Sequence, residues 1–116
     1  MEMKLTPRFF RDGEAMFGPG VADLLARVRK YRSLRAAAAS MEMSYSKAWR
    51  VIRDAENGFG CKLLSSTTGG RNGGGAVLTP EGEAILDAYQ RFAIDVNAYS
   101  QTRFQDIFGE WLERLE

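Results

Sequence analysis

The segment from Ser33 to Thr79 constrains this chain more than any other part of it. It opens with SLRAAAAS, passes through Met41-Glu42-Met43, continues as SYSKAWRVIRDAENG, and closes with SSTTGGRNGGG and AVLT. Ser33 is placed to cap a short alanine-rich helix over residues 34–40. Alanine propagates helix well and lets two helix backbones approach closely. Met41-Glu42-Met43 breaks that helix without a glycine. Ser44 caps a second helix over 44–57, which Asn57-Gly58 is expected to stop because both residues tolerate left-handed backbone. Lys62 to Ser66 and Ala76 to Thr79 are short enough to pair as strands, and the GGRNGGG between them holds five glycines in seven residues. Two short helices with a tight break, followed by a glycine-rich hairpin, are the sequential layout of a winged helix-turn-helix.

The second helix is two-faced. Ala48, Ile52 and Ala55 form one stripe, flanked by Trp49 and Val51, and face a core. Ser46, Arg50 and Arg53 form another, with Lys47 beside Arg50. A cationic, hydroxyl-bearing stripe on an isolated helix reads as a solvated face. Between an alanine-rich helix and a glycine loop it reads instead as a helix that enters the major groove of double-stranded DNA, N-terminal half foremost. Tyr45, Ser46, Lys47 and Arg50 are then the candidates for base edges, Arg50 bridging O6 and N7 of a guanine. Ser33, Arg35 and Ser44 stand near helix starts, where free N–H groups favour phosphate. Arg53 and Lys62 are weaker phosphate candidates. Arg71, the one charge of the wing over 66–76, is expected on the backbone or in the minor groove. Five glycines exceed the need of a plain turn and suggest a close approach to something.

Other chemistry is disfavoured. The chain has no histidine and a single cysteine, Cys61. That removes His-based acid–base catalysis, His-paired nucleophiles and a structural zinc cage. The glycine run lacks the lysine of a phosphate-binding P-loop and does not satisfy G-x-G-x-x-G. No enzyme activity, cofactor or metal is expected. No apolar run approaches the length of a membrane span, the N-terminus lacks a signal-peptide core, and one cysteine suits a reducing compartment. The expectation is a cytoplasmic protein with no membrane partner and no evident site for a small-molecule effector. The net charge of +1 conceals an asymmetry: residues 1–75 hold 13 Lys/Arg against 7 Asp/Glu, and residues 76–116 hold 3 against 8. A basic front suits a polyanion.

At 116 residues the chain is of single-domain size. Leu5 to Phe10 and Ala15 to Phe17 flank Asp12-Gly13, a hairpin signal. Gly18-Pro19-Gly20 is expected to break the chain. Val21, Leu24, Leu25 and Val28 predict a helix over 21–31 whose exposed face carries Arg27, Arg29, Lys30 and Arg32. Thr79 and Pro80 open a last long helix as cap and first residue. Along it Ile85, Tyr89, Phe92, Val96 and Tyr99 recur at steps of four and three, a coiled-coil-like seam. Phe104, Ile107, Phe108, Trp111, Leu112 and Leu115 form a further amphipathic stretch. The fold class expected is mainly α with small β (α+β). It comprises a winged helix-turn-helix with an N-terminal β-hairpin over 1–79 and a long helical dimerisation segment over 80–116. An alternative use of the seam, packing on its own domain, stays open.

The combination of SLRAAAASMEMSYSKAW with GGRNGGGAVLTPEGEAIL resembles the DNA-binding domain of the molybdate-responsive ModE regulators, itself similar to the winged helix of LysR-type regulators. The resemblance covers roughly residues 5–100. It implies a transcription regulator that binds double-stranded DNA as a homodimer. Family members usually carry glycine where Arg32 stands, so an ordinary negative φ is expected there. Their C-terminal oxyanion-binding domains lie beyond Glu116, so molybdate sensing is not implied. Two other readings of the residues remain. One is a winged-helix module that docks a sensor or transcription partner through its acidic, aromatic C-terminal stretch. The other is a redox sensor at Cys61 with Lys62 beside it.

Overall fold

The computed structural model describes residues 1–67 and 75–115. The chain forms an antiparallel hairpin, β1 (Phe9–Arg11) and β2 (Glu14–Phe17). Three helices follow: α1 (Pro19–Tyr31), α2 (Leu34–Ser40) and α3 (Tyr45–Phe59). A second antiparallel hairpin, β3 (Leu64–Thr67) and β4 (Gly75–Leu78), precedes a long helix, α4 (Pro80–Glu113). This is the α+β winged helix-turn-helix with a long C-terminal helix that the sequence predicts.

The first hairpin turns at Asp12 (φ 52°) and Gly13 (φ 80°), the pair of left-handed residues that a two-residue turn between twisted strands requires. Helix α1 starts earlier than predicted. Gly18 caps it in extended conformation, and Pro19 and Gly20 form its first turn rather than a break. Proline at this position loses no hydrogen bond, since its N–H would have no partner within the helix.

Helix α3 also outruns its predicted stop. Asn57 and Gly58 stay helical, and the left-handed residue is Gly60 (φ 75°), whose N–H reaches the Glu56 carbonyl at 2.8 Å. Phe59 gains a reason to stay helical by packing edge-on against Phe17, with ring centroids 5.5 Å apart. Gly58 is needed for packing, because a side chain there would collide with Met16 of β2.

The core lies among α1, α2, α3 and the first turns of α4. Leu24, Leu25, Val28, Ala37, Ala48, Ile52, Ala55, Leu63 and Leu86 are fully buried. Small residues on the facing sides of α2 and α3 let these helices pack closely. An aromatic cluster closes the other end: Tyr89 of α4 meets Phe17 at 5.1 Å and Phe9 at 5.6 Å, and its hydroxyl donates to the Pro7 carbonyl at 2.7 Å. Burial raises the Tyr89 phenol above its ordinary pKa, with Arg8 lowering it in part.

The two C-terminal amphipathic stretches are one helix of 34 residues, about 50 Å at the α-helical rise. The predicted seam along it is divided. Tyr89 is taken into the chain's own aromatic cluster, and Ile85 and Val96 are half-buried, whereas Phe92 and Tyr99 are exposed. The N-terminal segment runs beside this helix: Asn97 bonds both the N–H and the carbonyl of Leu5, and Gln101 donates to the Met3 carbonyl. No helix among the described residues is long and apolar enough to cross a membrane.

Candidate nucleic-acid interface

The helix-turn-helix is built by two caps and one strained turn. The Ser33 hydroxyl oxygen accepts from the Ala36 N–H at 3.0 Å, and that of Ser44 accepts from the Lys47 N–H at 3.1 Å. Between them Glu42 takes the left-handed conformation (φ 55°) that glycine would fill at least cost. The turn holds because the N–H groups of Met41 and Met43 both bond the Ala38 carbonyl and Glu42 bonds that of Ala39.

This turn directs α3 so that Ala48, Ile52 and Ala55 are buried, while Ser46, Lys47, Arg50 and Arg53 are exposed away from them and Tyr45, in the first turn on the Ala48 side, is exposed as well. None of Lys47, Arg50 and Arg53 has a carboxylate within 4.0 Å among the described residues. Some cations elsewhere are paired: Arg27 with Asp23 at 3.0 Å, Arg29 with Glu83 and with Asp87 at 2.9 Å, and Lys62 with Glu56 at 3.7 Å. Hydrogen bonds that Arg29 donates to Glu83 and Asp87 raise its pKa, and one that Arg27 donates to Asp23 raises that of Arg27. The exposed face of α1 is thus sorted by the fold. Arg27 and Arg29 are structural ties, Arg27 also reaching the Ser40 carbonyl of α2 at 3.1 Å.

Arg35, expected at phosphate, lies with its guanidinium 4.2 Å from the centroid of the Tyr45 ring, and Tyr45 meets Trp49 edge-on at 6.2 Å. This stack joins the first turn of α2 to the first turn of α3 and holds the candidate DNA-facing side chains of both in one place. The sequence carried no signal for it, because the two residues are ten apart and on different helices.

The wing is anchored on three sides. Thr79 donates its N–H to the Leu63 carbonyl at 2.9 Å and its hydroxyl to the Lys62 carbonyl at 2.6 Å. The Ala76 N–H of β4 reaches the Arg32 carbonyl at 3.1 Å. Beneath β3, the buried Glu56 carboxylate accepts from the N–H groups of Leu63 at 2.8 Å and Leu64 at 3.4 Å. Glu56 fixes the wing to α3, a role that the sequence pattern did not reveal. Gly75 does make a close approach, and its neighbour is the chain itself: a side chain there would meet the Thr67 hydroxyl and the Arg32 carbonyl. Arg71 lies outside the described residues.

Arg32 overturns the expectation of a negative φ. It is left-handed (φ 56°), ends α1, and bonds the Val28 carbonyl through its N–H at 2.7 Å. The fold demands this conformation so that the Arg32 carbonyl faces the wing, whichever residue stands there. Cys61 is half-buried against the core, and the neighbouring Lys62 ammonium is directed to Glu56 rather than reserved for the thiol.

Comparison with known proteins agrees with this geometry. Residues 22–83 match the family described as bacterial regulatory helix-turn-helix protein, lysR family. The molybdenum-pterin-binding protein MopB of Rhodobacter capsulatus is 39% identical over 79 residues, 68% of this chain and 29% of the relative. The transcriptional regulator ModE of Yersinia pestis is 32% identical over 93 residues, and the DNA-binding transcriptional dual regulator ModE of Escherichia coli K12 is 30% identical over 93. Each of these two alignments spans 80% of this chain and 33% of the relative. The chain therefore spans about a third of the length of the curated relatives it matches. A helix-turn-helix with its wing, matched across both, makes the chain a member of the lysR family of bacterial regulatory helix-turn-helix proteins, which are DNA-binding transcription regulators and not enzymes.

Proposed function

We propose that the chain binds double-stranded DNA as a homodimer, with α3 in the major groove and the wing across the neighbouring backbone or minor groove. One observation carries this reading. The exposed face of α3 presents Ser46, Lys47, Arg50 and Arg53 without a carboxylate partner among the described residues, while the arginines of α1 that face carboxylates are paired. Unpaired cations on a rigid helix beside hydroxyls suit a polyanion with readable edges. Tyr45, held by Arg35 and Trp49, and the cap serines Ser33 and Ser44 complete the set, with Arg71 assigned to the wing.

Dimerisation is assigned to the exposed part of α4. Phe92, Val96, Tyr99 and Ile107 share a helical stripe, and Phe92, Tyr99 and Ile107 are 50%, 71% and 58% exposed. Ile85 and Tyr89 support this stripe from within the domain. Two copies joined there present two recognition helices, for half-sites about one helical turn or a multiple of it apart. Sedimentation showing a monomer at high micromolar concentration would remove the dimer.

The test is binding of a labelled mixed-sequence duplex, followed by fluorescence anisotropy against salt. Affinity is expected to fall steeply with salt. On a selected site, Arg50→Ala is expected to weaken binding by roughly 1–3 kcal/mol and to relax sequence preference. An Arg50→Ala protein that binds its best site as tightly as wild type refutes the assignment of α3. No binding at low salt refutes the DNA reading altogether and favours a protein-docking module.

A further inference from the structure

We infer that Arg32 is a phosphate-contacting residue that bridges the recognition helix and the wing, and that the chain retains a side chain there against the preference of its backbone. The inference rests on the DNA-binding reading above and extends it to a residue outside the helix-turn-helix face.

The first observation is conformational. Arg32 occupies the left-handed position at the end of α1 with φ 56°, where glycine carries no steric penalty. Its backbone duties, the N–H bond to Val28 and the carbonyl bond to Ala76, need no side chain at all. A non-glycine residue held in this region points to a use for the side chain.

The second observation is electrostatic. Arg32 is exposed and makes no ion pair or side-chain hydrogen bond among the described residues, in contrast to Arg27 and Arg29 of the same helix. In the sequence, residues 68–74, which precede β4, contain no acid, and their one charge is Arg71.

The third observation is position. A continuous line of contacts runs from the recognition helix to the wing through this residue. Tyr45 of α3 stacks with Arg35. Arg35 lies in the first turn of the helix that Ser33 caps. Ser33 follows Arg32, and the Arg32 carbonyl holds β4 at Ala76. A duplex that touches both α3 and the wing therefore passes over Arg32. A guanidinium there meets the sugar–phosphate backbone and not base edges, so its contribution is sequence-independent.

Three full-length proteins test this: wild type, Arg32→Gly and Arg32→Lys, each titrated with the labelled mixed-sequence duplex over a range of salt. For Arg32→Gly the slope of log affinity against log salt is expected to fall by about 0.9 for each bound protomer. At about 0.1 M salt that is about eightfold weaker binding per protomer. Arg32→Lys keeps the charge and the slope. The melting temperature separates this from damage to the fold, since Arg32→Gly is expected to melt no lower than wild type.

An Arg32→Gly protein with the wild-type salt slope overturns the inference while leaving the DNA-binding reading in place. A weaker-binding Arg32→Gly that also melts well below wild type overturns it too, by showing that the side chain serves the fold. A wild type without salt-dependent binding brings down both readings together.

Discussion

The same substitution at two glycines of α4 is expected to have opposite effects. Gly109 lies near the C-terminal end of the helix with nothing within 4 Å of where a Cβ would stand. Gly109→Ala should therefore gain close to the full helix-propensity difference, about 0.8–1.0 kcal/mol, less whatever fraying near Glu113 removes. Gly82 lies in the first turn of the same helix, buried, and its Cβ would collide with the Leu63 carbonyl oxygen. That oxygen cannot swing aside freely, because it accepts the Thr79 N–H at 2.9 Å and so joins the recognition-helix side of the wing to the cap of α4. Overpacking of this kind costs roughly 1–3 kcal/mol, which exceeds the propensity gain. Gly82→Ala is expected to destabilise by up to about 2 kcal/mol net, and Gly109→Ala to stabilise by up to about 1 kcal/mol. Guanidinium denaturation followed by circular dichroism measures both, with an unchanged m-value showing that the comparison is of stability alone. If Gly82→Ala stabilised the protein as Gly109→Ala does, the close docking of α4 on the α3–wing connection would be refuted.

Two further outcomes follow from buried polar groups. Glu56→Ala leaves the Leu63 N–H without its 2.8 Å acceptor and should destabilise by about 1–3 kcal/mol; Glu56→Gln, which keeps an acceptor oxygen, should lose less, and equal losses in denaturant titrations would refute the hydrogen-bond account. Tyr89 carries a pKa raised chiefly by burial, so the folded state holds its phenolic proton more tightly than the unfolded chain. The resulting stability is fully present below the unfolded value of about 10 and is lost as pH rises through the folded value. Tyr89→Phe should remove this part of the alkaline loss, and an identical pH profile for the two proteins would show that Tyr89 does not contribute to it.

How much of this was legible in the sequence depended on whether a feature was local. The caps Ser33, Ser44 and Thr79 were readable because each acts within three residues: their hydroxyls accept from Ala36, Lys47 and Gly82. The helix over 34–40 was readable for the same reason. The face of α3 was readable because its alternation of alanine, isoleucine and arginine repeats at the helical period. Stops were less so. Asn57-Gly58 and Gly60 compete as ends for α3, and the decision falls to Phe59, whose partner Phe17 lies far away in the chain. Nothing local could reveal that Glu56 would serve the wing, or that Arg29 would be drawn away from the basic face by Glu83 and Asp87, although those two acids stand four apart on α4 and so share a side of it.

The divided seam of α4 shows how periodicity overreaches. Ile85, Tyr89, Phe92, Val96 and Tyr99 obey one repeat, and the repeat says only that they share a stripe. It does not say what covers that stripe. The first hairpin covers the beginning: Phe9 reaches Tyr89 at 5.6 Å and Phe92 at 6.3 Å, and the Pro7 carbonyl takes the Tyr89 hydroxyl. Beyond Phe92 the hairpin ends, and among the described residues the N-terminal segment follows the helix, bonded through Asn97 and Gln101. These two amides lie on another side of the helix from Tyr99 and Ile107, since residues two apart along a helix do not share a face. The same stripe thus changes role along its length. Near the wing it holds the helix to the first hairpin, through Tyr89 against Phe9 and Phe17. Farther out it is left uncovered by the described residues and is free to meet a second copy. A dimer formed on the outer part would fix the separation of two recognition helices through the inner part. The buried contacts of Tyr89 and Leu86 then bear on operator spacing although they lie away from the candidate DNA-facing side of α3.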